Sequence, residues 1–184
     1  MVNNYTYLGL FLDDPSKQVN LQEFENIYKK PHQTIRRHLN VLVKESILIE
    51  MRMGKFVFYK LNKNNPLLLS YLSICEKERT FLFLKNPLFK RLHELLAPSF
   101  NVANVLVFGS AAVSKNYNDI DLLVLSGDKN VWMALEGFEK IYHKKLHIVK
   151  TEEKDLTTTF ITEITKKHII LNNHDYFVRL LYGN

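Results

Sequence analysis

Apolar and polar positions alternate along the chain in two rhythms, and the change of rhythm divides it. Residues 3 to about 12 are apolar and aromatic and predict a short first helix, closed by Asp13-Asp14-Pro15. Asn20 precedes Leu21, Phe24, Ile27 and Tyr28 at helical spacing, with Glu23 placed three residues on as its capping-box partner, so a second helix is expected. A third starts at Pro31. In it Ile35, Leu39, Leu42 and Val43 make one apolar face, leaving Gln33, Thr34, Arg36, Arg37, Asn40 and Lys44 outside. The rhythm then shortens to alternation in Ile47–Met51 and Phe56–Leu61, joined through Arg52-Met53-Gly54-Lys55, which predicts a hairpin with a basic tip.

Asn62-Lys63-Asn64-Asn65-Pro66 is a break, and Leu67 to Leu84 then carries more apolar residues than one exposed helix needs. Asn86-Pro87 opens a shorter helix that ends at Ala97-Pro98. Two apolar runs of strand length follow, Asn104–Phe108 and Ile120–Leu125, around a polar loop that opens with Gly109-Ser110 and closes with Asp119 and Asp121. Lys129–His143 reads as a helix, Lys145–Val149 as a strand, Glu152–Lys167 as a helix, His168–Leu171 as a strand and Asp175–Leu181 as a last helix.

Strand alternation puts Asp119 and Asp121 on one face, with Ile120 and Leu122 turned into the core. Paired carboxylates on a rigid strand suit Mg2+, which takes a few carboxylate oxygens together with substrate phosphates. Gly109 lets backbone approach a triphosphate, and Ser110 adds a hydroxyl and an N–H. His147 faces the same cleft from the following strand. As an imidazole it is a poor Mg2+ ligand, and a half-exposed strand histidine without a role is the simpler reading. His143 and His147 are four apart, but a helix-to-strand change between them argues against a helical metal pair.

Composition narrows the classes. With 184 residues and 46% hydrophobic content, the chain suits one or two globular domains. No stretch approaches the roughly 20 apolar residues of a membrane span, so a cytoplasmic protein without a membrane partner is expected. Cys75 is the single cysteine and reads as a small buried hydrophobe. The net charge of +6 is uneven. Residues 99–184 balance ten basic against ten acidic, whereas Lys29–Lys60 holds eight basic residues against Glu45 and Glu50. A basic local unit suggests a polyanionic partner.

Helix, helix, basic helix and basic hairpin follow the order of a winged helix-turn-helix. Gln33-Thr34-Ile35-Arg36-Arg37-His38-Leu39-Asn40-Val41-Leu42 resembles the recognition helix of winged-helix regulators, especially the ArsR kind. The resemblance implies double-stranded DNA as partner, with Gln33, Thr34, Arg36, Arg37, Asn40 and Lys44 on the groove-facing helix. Arg52 and Lys55 would reach a neighbouring groove or phosphate. His38 is expected to pack beside the preceding helix. Reading two half-sites implies a homodimer, for which the apolar helix 67–84 is a candidate surface.

Gly109-Ser110, eight residues, then Asp119-Ile120-Asp121 resembles the signature of the DNA polymerase beta nucleotidyltransferase superfamily, in particular its minimal members. That implies Mg2+ held by Asp119 and Asp121 and an NTP cradled at Gly109 and Ser110. Where members carry x-Ala-Arg-Gly this chain has Ala111-Ala112-Val113-Ser114, and His147 stands where active members have a third carboxylate. Together the two resemblances imply an α+β, two-domain chain. It comprises a winged helix-turn-helix at 1–62, a helical connector at 63–98 and an α/β nucleotidyltransferase-like core with a mixed sheet at 99–184. The expected function is a DNA-binding transcriptional regulator whose second domain binds Mg-NTP or is degenerate. The alternatives are an active nucleotidyltransferase acting on an RNA, protein or small-molecule hydroxyl, and an antitoxin-type partner of a toxin.

Overall fold

The computed structural model describes residues 4–183; Met1, Val2, Asn3 and Asn184 lie outside the described residues, and with them the starts of the expected first helix and first domain and the end of the last. The chain is α+β and divides into two compact units, Met1–Cys75 and Glu76–Asn184. No helix among the described residues is long and apolar enough to cross a membrane.

In the first unit, Asn4–Phe11 winds as a 3-10 helix. It carries Gly9, a poor helix former, in its second half. Helix α1 (Leu21–Tyr28) begins as its sequence signals: Asn20 Oδ1 accepts from the Glu23 N–H at 2.9 Å, and the Asn20 N–H donates back to Glu23 Oε1 at 3.3 Å. Helix α2 (His32–Lys44) buries Ile35, Leu39 and Leu42. Phe24 is the hub of the core, its ring 6.0–6.3 Å from those of Tyr59, Tyr7 and Phe11.

Val19–Asn20 form a two-residue strand, β1, which pairs with β3 (Phe56–Leu61); β2 (Leu48–Met53) pairs with β3 on its other side, all antiparallel. The hairpin turn is tighter than the sequence pattern suggests. Met53 already faces Phe56, so only Gly54 and Lys55 turn, with Gly54 at φ +60. Arg52 therefore belongs to β2, in register with Val57, and lies below the tip. His38 packs against the 3-10 helix, with Nδ1 2.6 Å from Asn4 Oδ1 and its ring over Tyr7. Cys75 is buried and its thiol donates to the Tyr5 carbonyl.

The division between the units falls within α3 (Leu68–Phe83), on which Ile74, Phe81 and Leu82 are exposed, as is Leu67 just before it. The second unit continues with α4 (Pro87–Leu96), β4 (Ala103–Phe108), α5 (Ser110–Val113), β5 (Asp119–Ser126), α6 (Lys129–Tyr142), β6 (Lys145–Thr151), α7 (Thr158–Lys166), β7 (His168–Ile170) and α8 (His174–Tyr182). Its sheet runs β6-β5-β4-β7 and is mixed: β5 and β6 are parallel, the other pairs antiparallel. On one face Val105, Val107, Ile120, Leu122 and Val124 pack with Phe89 and Leu92 of α4 and Val131, Leu135 and Phe138 of α6. Trp132 is rim rather than core, half-buried with Lys150 Nζ 4.6 Å from its ring.

The expected helix 152–167 is broken. Glu153–Asp155 make a 3-10 turn, and Thr157 starts α7 afresh by accepting from the Phe160 N–H at 3.2 Å. Strand β7 is held from α3 by a buried polar group whose members show no pattern along the chain. Glu76 Oε1 accepts from the Tyr182 hydroxyl at 2.5 Å and lies 3.1 Å from His168 Nε2, while Arg79 donates to the His168 carbonyl. Burial pushes the Glu76 carboxyl up, but hydrogen bonding and charge from His168, with Arg79 and Tyr182, outweigh it and hold it below the usual value. His174 sits beside Thr80, 3.0 Å from its hydroxyl, and burial lowers its pKa to about 4.

Two outcomes are expected. Asn20→Ala should cost about 1 kcal/mol in urea denaturation, since it removes the side-chain oxygen that accepts from the Glu23 N–H and keeps only the backbone arm of the cap. Between pH 6.5 and about 4 the unfolded chain protonates at position 174 and the folded chain does not, so stability falls as pH falls through that window. Denaturation midpoints at pH 7 and pH 5 should differ less in His174→Gln than in the parent protein.

Candidate functional site

Register builds the site of the second unit. Phe108 pairs with Asp121 across β4 and β5, so Gly109, the next residue, leaves the sheet directly beside the Asp121 carboxylate. Gly109 takes φ +70 and ψ −147, a conformation open to glycine, and a β-carbon there would overlap Asp121 Oδ2. Its N–H is anchored by the Lys167 carbonyl at 3.0 Å. Ser110 is exposed and opens α5, which has only four residues, so helix-dipole support for an anion is slight.

On the parallel neighbour β6, His147 is in register with Asp121, and Lys145 with Asp119. All four side chains therefore belong to one face of two adjacent strands. His147 Nδ1 lies 3.2 Å from Asp119 Oδ2 and 3.5 Å from Asp121 Oδ1. The three groups offer one donor atom each within 4.8 Å of one another. The carboxylates are half-buried, at 32% and 25% exposure, and His147 is at 49%, which leaves the solvent side open for further ligands. Two carboxylates and an imidazole are a fitting donor set for a divalent cation. His147 thus stands half-exposed at the cleft position that the strand pattern assigns to it. Lys145 is a cation that sequence reasoning passed over, although its i, i+2 relation to His147 was visible. His143 ends α6 in a left-handed conformation and contributes nothing to this group.

In the first unit, helical geometry sorts the polar residues of α2. Gln33, Arg37, Asn40 and Lys44 follow one another at i, i+4, i+7 and i+11, directly opposite buried Ile35, Leu39 and Leu42, and all four are exposed. Arg36 is exposed on a flank and Thr34 is half-buried on the other. Arg36 lines a groove of about 470 Å³ together with Gln22, His32, Lys55 and Phe56. Arg52 is exposed and leans on Glu50, its Nε 3.5 Å from the carboxylate. Glu25 also lines the groove, paired with His32 Nδ1. The residues expected to act together thus fall into a polar stripe of four on α2, of which Arg37 and Lys44 are basic, with Arg36 and Lys55 lining the groove.

No protein-family model, no curated protein and no solved structure matches the chain. The residues themselves carry what can be said of its function.

Gly109→Ala is expected to lower stability by about 1–3 kcal/mol from strain, and by more through the displaced Asp121 carboxylate. Gly54→Ala also faces a positive φ, but nothing lies within 4 Å of its added carbon. It should cost less in the same urea titration, and equal losses would show that the Asp121 contact does not matter.

Proposed function

We propose that the chain is a DNA-binding regulator, in which a winged helix-turn-helix is joined to a nucleotidyltransferase-like unit that binds a divalent cation with an NTP. The observation that carries the first half is the exposed stripe Gln33, Arg37, Asn40 and Lys44 on a helix whose other face is wholly buried. A helix held in this way presents fixed side chains to a major groove, with Arg and Gln types suited to base edges and Lys to phosphate. Arg36 and Lys55 add positive charge along the groove beside the hairpin, where a phosphate backbone would run. Acting on two half-sites, it would do so as a homodimer.

The second half rests on the Asp119, Asp121 and His147 group beside Gly109. Asp119 and Asp121 would hold the cation, Gly109 would admit the phosphates close to the backbone, and Lys145 would lie near their negative charge. A bound Mg2+ would supply charge neutralisation for the phosphates. The same group favours a second reading, in which the unit transfers NMP to an acceptor hydroxyl and the winged helix positions that acceptor.

The Arg36→Ala, Arg37→Ala double variant should remain folded, as both side chains are exposed, and should lose DNA affinity. Its slope of log K against log salt should shrink by up to about 2. Undiminished binding would remove α2 as the DNA-reading helix. Calorimetric titration of NTP with Mg2+ should give saturable binding that disappears in Asp121→Ala. Label transfer that survives Asp119→Ala would exclude the enzyme reading at this site.

A further inference from the structure

The donor set of the second unit is not the one that Mg2+ prefers. Mg2+ is a hard cation that takes oxygen at about 2.0–2.1 Å and gains little from an imidazole nitrogen. Here the third position is a nitrogen, and its placement is that of a ligand. Two atoms in adjacent positions of an octahedral ion with bonds of about 2.1 Å lie about 3 Å apart. His147 Nδ1 stands 3.2 Å from an oxygen of Asp119 and 3.5 Å from an oxygen of Asp121, close to that spacing for each, and the three groups offer donor atoms within 4.8 Å of one another. The ring comes from the strand next to β5, in register with Asp121, and not from a loop.

We infer that His147 is the third protein ligand of this site and that it moves the preference of the site from Mg2+ to a divalent first-row transition ion, of which Mn2+ is the type that also accepts phosphate oxygens. The inference rests on the reading of Asp119 and Asp121 as cation ligands, and adds the identity of the ion. Imidazole binds such ions better than it binds Mg2+, whereas the two carboxylates serve either. The open, half-exposed side of the group leaves positions for water or for the oxygens of a triphosphate. An exposed His–Asp pair with no ion would contribute little to stability, so the cluster gains no explanation from folding alone.

The test uses the full chain with Mn2+ alone, without nucleotide. Loss of the free-ion electron paramagnetic resonance signal gives Mn2+ affinity, competition gives Mg2+ affinity, and electron spin-echo modulation detects a directly bound nitrogen. The parent protein should bind Mn2+ in preference to Mg2+ and show nitrogen coupling. His147→Ala should lose the coupling and weaken Mn2+ by about tenfold or more, the scale of losses seen when metal-site residues are altered. His147→Asp, which replaces the nitrogen with a third carboxylate, should keep a site while moving the ratio toward Mg2+. Circular dichroism on both variants establishes that they fold.

Absence of nitrogen coupling in the parent protein, or an Mn2+ to Mg2+ ratio that is the same in all three proteins, would overturn the inference. If Mg-NTP still binds and still requires Asp121 in that case, the nucleotide reading stands without it. If His147-dependent Mn2+ binding is found and no NTP binds with either ion, the ligand assignment stands and the nucleotide reading falls.

Discussion

The antiparallel register of β4 on β5 is the constraint on which the second unit depends. It is set by burial: Val105, Val107, Ile120, Leu122 and Val124 are fully buried on one face, and a slip of one residue would move every one of them to the other face. The same register leaves Asp119 and Asp121 on the opposite face and delivers the chain at Phe108 opposite Asp121, so that the next residue has to be glycine. Core packing and site geometry are therefore a single fact about two strands. The parallel addition of β6 then brings His147 and Lys145 to the same face without any loop taking part.

Much of this was legible in the residues, and the reasons are local. The Asn20 and Glu23 cap, the apolar face of α2 and the alternation of Asp119 and Asp121 are decided within four residues of sequence, which is the range over which pattern carries information. The two-residue β1 was not visible, because Val19–Asn20 is too short to alternate and owes its existence to pairing with Tyr59 and Phe58. The break at Thr157 was hidden by its neighbours. The threonines of 157–159 read as a tolerable helix interior, yet Thr157 does what threonine does better and caps. Arg52 was placed in a turn because glycine was given a four-residue loop, and the strands in fact run on to a two-residue one.

The site divides in the same way. Asp119, Asp121, Gly109 and Ser110 announce themselves by spacing. The strand pattern turns His147 toward the cleft, whereas Lys145 announces only a strand, and what either can meet depends on which strand lies beside theirs. The Glu76, His168 and Tyr182 group is beyond sequence altogether: its members are separated by 92 and 14 residues and each looks ordinary alone. Similarly, the face of α2 could be listed from periodicity, but the position of Arg36 beside the groove with Lys55 required the hairpin to be folded over α1 and α2.

Strand β6 is an edge of its sheet, hydrogen-bonded to β5 alone, and its outward residues Lys145 and Lys150 are exposed charges of the kind that discourage another strand from adding there. The Asp119, Asp121 and His147 group is thereby built on strands of unequal support. Asp119 and Asp121 are fixed on an interior strand, while His147 rides on one that is tethered from a single side. An ion held there would meet two donors on a strand paired on both sides and one on a strand paired on a single side, so the two kinds of ligand would differ in their freedom to exchange.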